Sequence, residues 1–399
     1  MDVLSRLIEE LSRQEMQAII QEMLDKRNRN NDKKWIEIVE DYDLECSPEV
    51  LRKLSVGVNF ASDAGMKLGS GDNLDRNYAE RQKLYDLQRK IRQDMRELSR
   101  TELICEHIDS AIQSLPKIDM QIKRASLNNS NCSLVLGIGD FHYGADFKVA
   151  DLYGKVINKY NSFVFENRMR TLLTKIVDIV DKEKPNELVI MIVGDMIDGL
   201  LRQSQLQRLE YGVVESTMKL AETLTYWLIS LEEEIGIPIR VYSVRGNHGE
   251  IRPLGSKAGQ FPEENMERIV MHYLFARFLG QESVKIAQND SPMVQVVNVC
   301  GYQFLLTHGQ DSSIESMAKD CVNLYHKPID VFMVGHLHKS QSFVSGIMPD
   351  TNIYVERIPS LCGVDPYAQS KGYGALPGAT AMTIEEGLGI KCVYPIVLK

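Results

Sequence analysis

From residue 1 to about 125, apolar residues recur every three or four positions, as in LSRLIEELSRQEMQAIIQEML and KKWIEIVEDYDL, with almost no two-residue alternation. That spacing predicts helices throughout. Leu84, Leu87, Ile91, Met95, Leu98, Cys105, Ile108, Ile112 and Leu115 form one apolar stripe along a long helix over 77–115. From Asn131 the pattern changes, and the runs SLVLGIG, ELVIMIVG, IRVYSVRG, VQVVNV, YQFLLTHG and VFMVGH read as short strands between helical stretches. The chain therefore divides into a helical N-terminal domain over 1–125 and an α/β (α+β) domain over 131–399, with the boundary near LNNSNCS. Residues 145–187 read as an inserted, partly helical cap, and the stretch after Ser340 as short strands and loops.

Composition narrows the class. A chain of 399 residues exceeds the roughly 250 to 300 at which single cores stop growing, in keeping with two domains. No run approaches the roughly 20 apolar residues of a membrane span, and the charged start MDVLSRLIEEL is unlike a signal peptide. These features predict a soluble cytoplasmic protein with no membrane partner. The seven cysteines are scattered without a CxxC pair, which predicts reduced packing residues. A net charge of −9 excludes a globally basic nucleic-acid binder but leaves room for local positive charge from bound cations.

The candidate chemistry lies where apolar runs end. Asp140 and His142 stand in GDFHYG, Asp195 in GDMID, Asn247 and His248 in RGNHGE, His308 in LLTHGQ, and His336 and His338 in MVGHLH. A glycine in each segment lets the backbone turn at a strand's C-terminal end, where α/β sheets place their chemistry. Five of the eight histidines fall in these segments. Carboxylate, imidazole and amide oxygen together suit divalent manganese, iron or zinc. A single DxH is a weak signal; five matching segments in order are a strong one.

In that order the segments resemble the calcineurin-like metallophosphoesterase superfamily, whose pattern runs DxH, GDxxD, GNH(D/E), a lone H, then GHxH. The resemblance covers about residues 133–340. It implies a β-sandwich flanked by helices and two divalent ions, manganese favoured, with iron, zinc or a mixture as alternatives. It also implies that Asp140, His142 and His338 hold one ion, that Asn247, His308 and His336 hold the other, and that Asp195 bridges them. His248 is then the catalytic candidate, protonating the leaving group or stabilising the transition state.

Two departures stand out. Gly249 follows His248 where the family commonly has an acid that orients the histidine, so Glu250 or another carboxylate must do so, or nothing does. Asp198 is expected to orient its loop or cap a helix. The 55-residue gap from Asp140 to Asp195 (195 − 140) is long for the superfamily. His107, His272 and His326 lie outside the motifs and receive no function.

In the N-terminal domain, residues 33–61 resemble a helix-turn-helix, with Ser47 as N-cap, Pro48 at the first helical position, and Arg52 and Lys53 toward a groove. Trp35, Ile36, Val39, Leu51 and Leu54 are its expected core. Glu37, Glu40, Asp41, Asp43, Glu45 and Glu49 make it acidic, which opposes phosphate binding and leaves protein docking as the alternative. Residues 81–100 carry seven basic groups against three acidic ones. That excess suits a solvated helix face, a nucleic-acid backbone or a homo-oligomer contact. These features favour a DNA nuclease, similar to the repair-nuclease branch and to phage-encoded phosphoesterases. A phosphomonoesterase or small-molecule or cyclic-nucleotide phosphodiesterase, and a non-catalytic DNA-binding or scaffolding protein with a vestigial site, are the alternatives.

Overall fold

The computed structural model describes residues 13–27, 33–44, 48, 51–52, 55, 102–118, 131–201, 203–252, 256–257, 259–289, 291, 293–310, 329–347, 352–372 and 374–399. The chain divides into two compact units, Met1–Arg96 and Glu97–Lys399.

In the first unit, α1 (Arg13–Arg27) and α2 (Trp35–Asp41) bury Ile19, Met23, Ile38, Leu44 and Leu51 together. Glu37 accepts the backbone N–H of Lys34 at 2.7 Å and so closes the first turn of α2. Lys33 reaches Glu22 at 2.9 Å and Asp41 at 2.7 Å, tying the two helices. The expected core is corrected in phase: Ile36 is 49% exposed, whereas Ile38 is fully buried. Trp35 and Val39 pack against that core as expected. Most of the expected second helix of the helix-turn-helix, including Ser47, Lys53 and Leu54, lies outside the described residues, as does the basic run 81–100.

The second unit opens with α3 over 102–113. Ile108 of this helix joins the main core, and His272 meets Asp109 at 2.9 Å. The end of the predicted 77–115 helix thus belongs to the unit that carries the sheets, where Ile108 is buried and Ile112 packs partly buried against the same core, while Leu115 is exposed.

Thirteen strands follow among the described residues. The first six are β1 (Cys132–Ile138), β2 (Phe147–Ala150), β3 (Val156–Tyr160), β4 (Leu188–Ile192), β5 (Ile239–Ser243) and β6 (Val284–Ile286). Next come β7 (Val294–Val299), β8 (Tyr302–Thr307), β9 (Val331–Val334), β10 (Gln341–Ile347), β11 (Asn352–Arg357), β12 (Gly378–Glu385) and β13 (Gly389–Val397). Between them lie α4 (Ser162–Glu183), α5 (Gln203–Leu206), α6 (Val213–Ile235), α7 (Met266–Arg277) and α8 (Pro366–Ser370).

One sheet has the order β13-β12-β1-β4-β5-β6, with β1, β4, β5 and β6 parallel. The other has the order β10-β11-β9-β8-β7, with β8, β9 and β11 parallel. Side-chain alternation sorts the first sheet's residues between two cores. Leu134, Leu136, Leu188, Ile190 and Ile239 face the helices, while Val135, Val189 and Met191 meet Val297, Phe304, Val331 and Met333 of the second sheet. Burial on both faces explains why β1 and β4 are continuous apolar runs. The outcome is a β-sandwich flanked by helices, as the motifs implied.

The segment expected to form a cap separates into two parts. Phe165, Met169, Leu172 and Ile176 of α4 lie in the main core, and the Trp227 indole of α6 donates to Met169 O at 2.8 Å. The hairpin β2–β3 forms a separate two-stranded sheet that joins the same core through Tyr160. None of the described helices is long and apolar enough to cross a membrane.

Candidate metal centre

The predicted residues converge because parallel strands of both sheets end at one edge of the sandwich. Asp140 and His142 follow β1, Asp195 follows β4 and Asn247 follows β5, while His308 follows β8 and His336 and His338 follow β9. Past their strand ends the first two loops still pair, with Asp140 N donating to Gly194 O at 2.9 Å and His142 N to Asp195 O at 3.0 Å. Asp140, His142, Asp195, His336 and His338 all have left-handed backbones, with φ of 49°, 46°, 53°, 69° and 50°. Such strain in non-glycine residues costs of order 1 kcal/mol or more each and persists where the surroundings enforce it. At Gly246 the approach is closer still, since an added Cβ would overlap the backbone N and Oδ1 of Asp195.

Asp195 sits between two clusters. Its Oδ2 lies 3.0 Å from His308 Nε2 and 3.9 Å from His142 Nε2. On one side, His142 Nε2 is 3.2 Å from His338 Nε2, and Asp140 Oδ1 is 3.6 Å from His338 Nε2. On the other, His308 Nε2 is 3.1 Å from Asn247 Oδ1 and 3.2 Å from His336 Nδ1. His308 donates Nδ1–H to Val193 O at 2.8 Å, which turns the Nε2 lone pair toward Asp195. All seven predicted ligand residues are therefore brought together.

The donor set fits divalent cations. Asp140 Oδ1 is wholly buried with no hydrogen-bond partner among the described residues, and ring nitrogens face one another in pairs. Buried, unpaired acceptors of this kind are costly unless a cation stands among them. The groups Asp140–His142–Asp195 and Asp195–His308–His336 each bring three ligand atoms within 4.8 Å, with Asp195 common to both.

His248 is held by Asp198, a carboxylate other than Glu250, and Asp198 is engaged by this ring rather than in capping a helix. The ring donates Nδ1–H to Asp198 Oδ1 at 2.5 Å, and the Gln205 amide donates to the same oxygen at 3.3 Å. Glu250 is turned away, accepting from Gly259 N at 2.7 Å and from the Arg252 guanidinium at 3.1 Å. Burial disfavours the charged form of His248, but the Asp195 charge and the bond to Asp198 prevail and hold its pKa at about 9. Asp198 is buried as well, yet its bonds to His142 and His248 keep its carboxyl below the usual range.

Residues without a motif support these loops. Glu267 accepts Met196 N at 2.9 Å and Gly246 N at 3.0 Å, joining the loops that carry Asp195 and Asn247. Asn265, the N-cap of α7, donates to Gly246 O at 2.9 Å. A Cβ on residue 249 would stand 2.5 Å from Asn265 Oδ1 and 3.0 Å from Glu267 Cγ. Gly249 therefore makes room for this brace. Cys362 Sγ lies with His142 and His338, but burial pushes its thiol pKa well above the usual value and leaves it a neutral neighbour.

The centre opens into a cavity of about 620 Å³. His142, Asn247, His248 and His336 form its floor, and Arg208, Arg252, Phe147 and Tyr367 are among the residues of its wall. Outside it, His107 bonds the carbonyl of Leu103 in its own helix and His272 pairs with Asp109, as befits histidines without a site role. His326 is outside the described residues.

The chain is 28% identical over 322 residues to the SPbeta prophage-derived uncharacterized protein YonJ of Bacillus subtilis, covering 80% of this chain and 78% of that one. Among solved structures it is similar to Vps29 of Entamoeba histolytica complexed with Zn+2, at 12% identity over 67% of this chain and 99% of that one, with a TM-score of 0.29. It is also similar to a dimetal phosphatase from Danio rerio, at 9% identity over 67% and 99%, with a TM-score of 0.33. Residues 133–340, which carry all seven of the converging candidate residues, match the calcineurin-like phosphoesterase family, and the chain belongs to it.

Proposed function

We propose that this protein hydrolyses phosphodiester bonds in nucleic acid, acting as a DNA nuclease with two divalent cations, manganese first among them. The observation that carries the reading is that the ligand clusters and the His248–Asp198 pair open into one cavity of about 620 Å³ whose wall bears both arginines and aromatic rings. That volume lies within the roughly 300 to 1,000 Å³ of sites that enclose an organic ligand. Similarity to a prophage-derived protein is in keeping with a phage-borne enzyme.

Asp140, His142 and His338 would hold one cation, Asn247, His308 and His336 the other, and Asp195 both. Two such cations supply Lewis-acid charge against the phosphate oxygens and lower the pKa of water toward neutrality. His248, anchored through Nδ1, keeps Nε2 for a proton given to the leaving oxygen. Asp198 fixes that tautomer and stabilises the charged ring. Arg208 offsets the charge of the diester, and Phe147 and Tyr367 offer apolar surface to a base.

The test is incubation with manganese and, separately, labelled single-stranded DNA, duplex DNA and a chromogenic phosphomonoester. The reading expects cleavage of polynucleotide. Turnover of the monoester with both DNAs intact would overturn it in favour of a phosphatase.

A further inference from the structure

We infer that the outer face of the β2–β3 hairpin is a strand-holding arm that binds single-stranded nucleic acid beside the cavity; the inference rests on the polynucleotide reading above. The hairpin's inner face is pinned. Tyr160 bonds Phe141 O through its hydroxyl, and Asn158 donates to Cys362 O and Val364 O at 2.8 Å each. Arg168 donates to Asn158 Oδ1 at 2.9 Å, and Gln369 donates to Ala150 O at 2.6 Å. Phe147, at the hairpin's base, lines the cavity. The arm is thus held in fixed register to the site.

Its outer face is bare and positive. Lys148 stands directly opposite Lys159 across the two strands, and both are exposed with no anionic partner among the described residues. Like charges in directly opposed positions destabilise a strand pair, so this arrangement suits a bound polyanion better than an isolated hairpin. At the tip, the Asp151 carboxylate is engaged by the backbone N–H groups of Tyr153 and Lys155, each at 2.9 Å. The Tyr153 ring, 94% exposed, is left free for a base to stack on. Backbone-tracking cations interleaved with an accessible aromatic ring are what sequence-tolerant strand binding requires. Lys148 adjoins Phe147 in the chain, and Arg208, on the cavity wall, accepts Asp146 N through its carbonyl at 2.8 Å. A strand lying on the lysines would round the hairpin edge beside Lys148 to reach the Phe147 side, which lines the cavity.

The experiment compares the full-length chain with Lys148→Gln/Lys159→Gln and with Tyr153→Ala. Anisotropy of a fluorescein-labelled single-stranded DNA oligonucleotide is followed across salt concentrations, with a chelator present to stop turnover. Neutralising two phosphate contacts should raise Kd about tenfold and lower the slope of log K against log salt by about 1.4. Loss of the stacking ring should raise Kd about tenfold with the slope unchanged. With manganese, kcat/KM for the oligonucleotide, divided by that for bis(4-nitrophenyl) phosphate in the same preparation, should fall about tenfold in the lysine variant.

Unchanged Kd and slope in a lysine variant whose parent binds and cleaves the oligonucleotide would overturn the arm alone. Cleavage of the small diester by the parent without binding or cleavage of oligonucleotide would overturn the nuclease reading, and the arm with it. Weakened binding to phosphatidylglycerol vesicles, with oligonucleotide binding untouched, would assign the face to a membrane surface and also overturn the arm.

Discussion

His248 donates its Nδ1 proton to Asp198, which stands fifty residues earlier in the chain, at 2.5 Å. The pair gives the histidine the carboxylate that Gly249 does not supply. If the two act as a unit, their losses are not additive. His248→Ala should lower kcat by about 10²- to 10⁴-fold, and Asp198→Asn should cause a smaller loss with KM little changed. The double variant should be no slower than His248→Ala. Steady-state kinetics on bis(4-nitrophenyl) phosphate measure this, and losses that multiply would show that the residues act separately.

Glu267 braces the two ligand loops with one oxygen on each backbone N–H. In Glu267→Gln one oxygen becomes an NH2 group facing a buried donor, an unmet bond that costs about 1 to 3 kcal/mol. Amide exchange at Met196 or Gly246 should quicken, and manganese affinity should fall about 10- to 100-fold. Hydrogen exchange and a metal titration read these effects. Exchange and affinity like those of the parent would remove Glu267 from the support of the site.

Restoring the family's acidic residue at position 249 should harm this protein. The new Cβ would stand 2.5 Å from Asn265 Oδ1, inside a brace with little freedom to move. Gly249→Asp is therefore expected to lower both Tm and kcat, by thermal unfolding and kinetics. A rise in kcat would mean that the residue's absence, rather than the brace, governs His248.

A pH effect on stability comes from Glu356 on β11, which is only 5% exposed and whose pKa burial pushes up to about 7, against weaker opposing bonds to Ser342 and Thr380. The folded state keeps this proton where the unfolded chain releases it near pH 4.5. Native protein therefore binds more protons between about pH 4.5 and 7, and the contribution of Glu356 to stability falls as pH rises through that window. Glu356→Gln should flatten the fall in urea unfolding series taken at several pH values. The same slope in parent and variant would contradict the assignment.

The candidate ligands are legible in the sequence because they cluster just past the ends of five strands: an apolar run, a glycine and a polar residue are local features. Both faces of β1 are buried, so even the sheet's central position shows as an unbroken run. What holds the ligands is not local. Glu267 lies 71 residues from Met196, and neither belongs to a pattern that names the other. Asp198 did carry a signal, as the last residue of GDMID, but its partner is set by tertiary folding. The helical phase of α2 is ambiguous because Trp35, Ile36, Ile38 and Val39 offer two overlapping apolar faces, of which packing on α1 selects the one that buries Ile38. The division of residues 145–187 between core helix and hairpin depends on which apolar side chains find the sheet.

Under the proposed function, Asp195 joins two cation sites that together cleave a phosphodiester. The most direct test is a titration of manganese into the chelator-stripped full-length chain, following bound metal and the rate on bis(4-nitrophenyl) phosphate together. The expected result is uptake of two ions with activity rising in step, and Asp195→Ala taking up fewer while its rate falls to background. Hydrolysis that persists in excess chelator, or an Asp195→Ala variant that matches the parent in metal content and rate, would contradict the account.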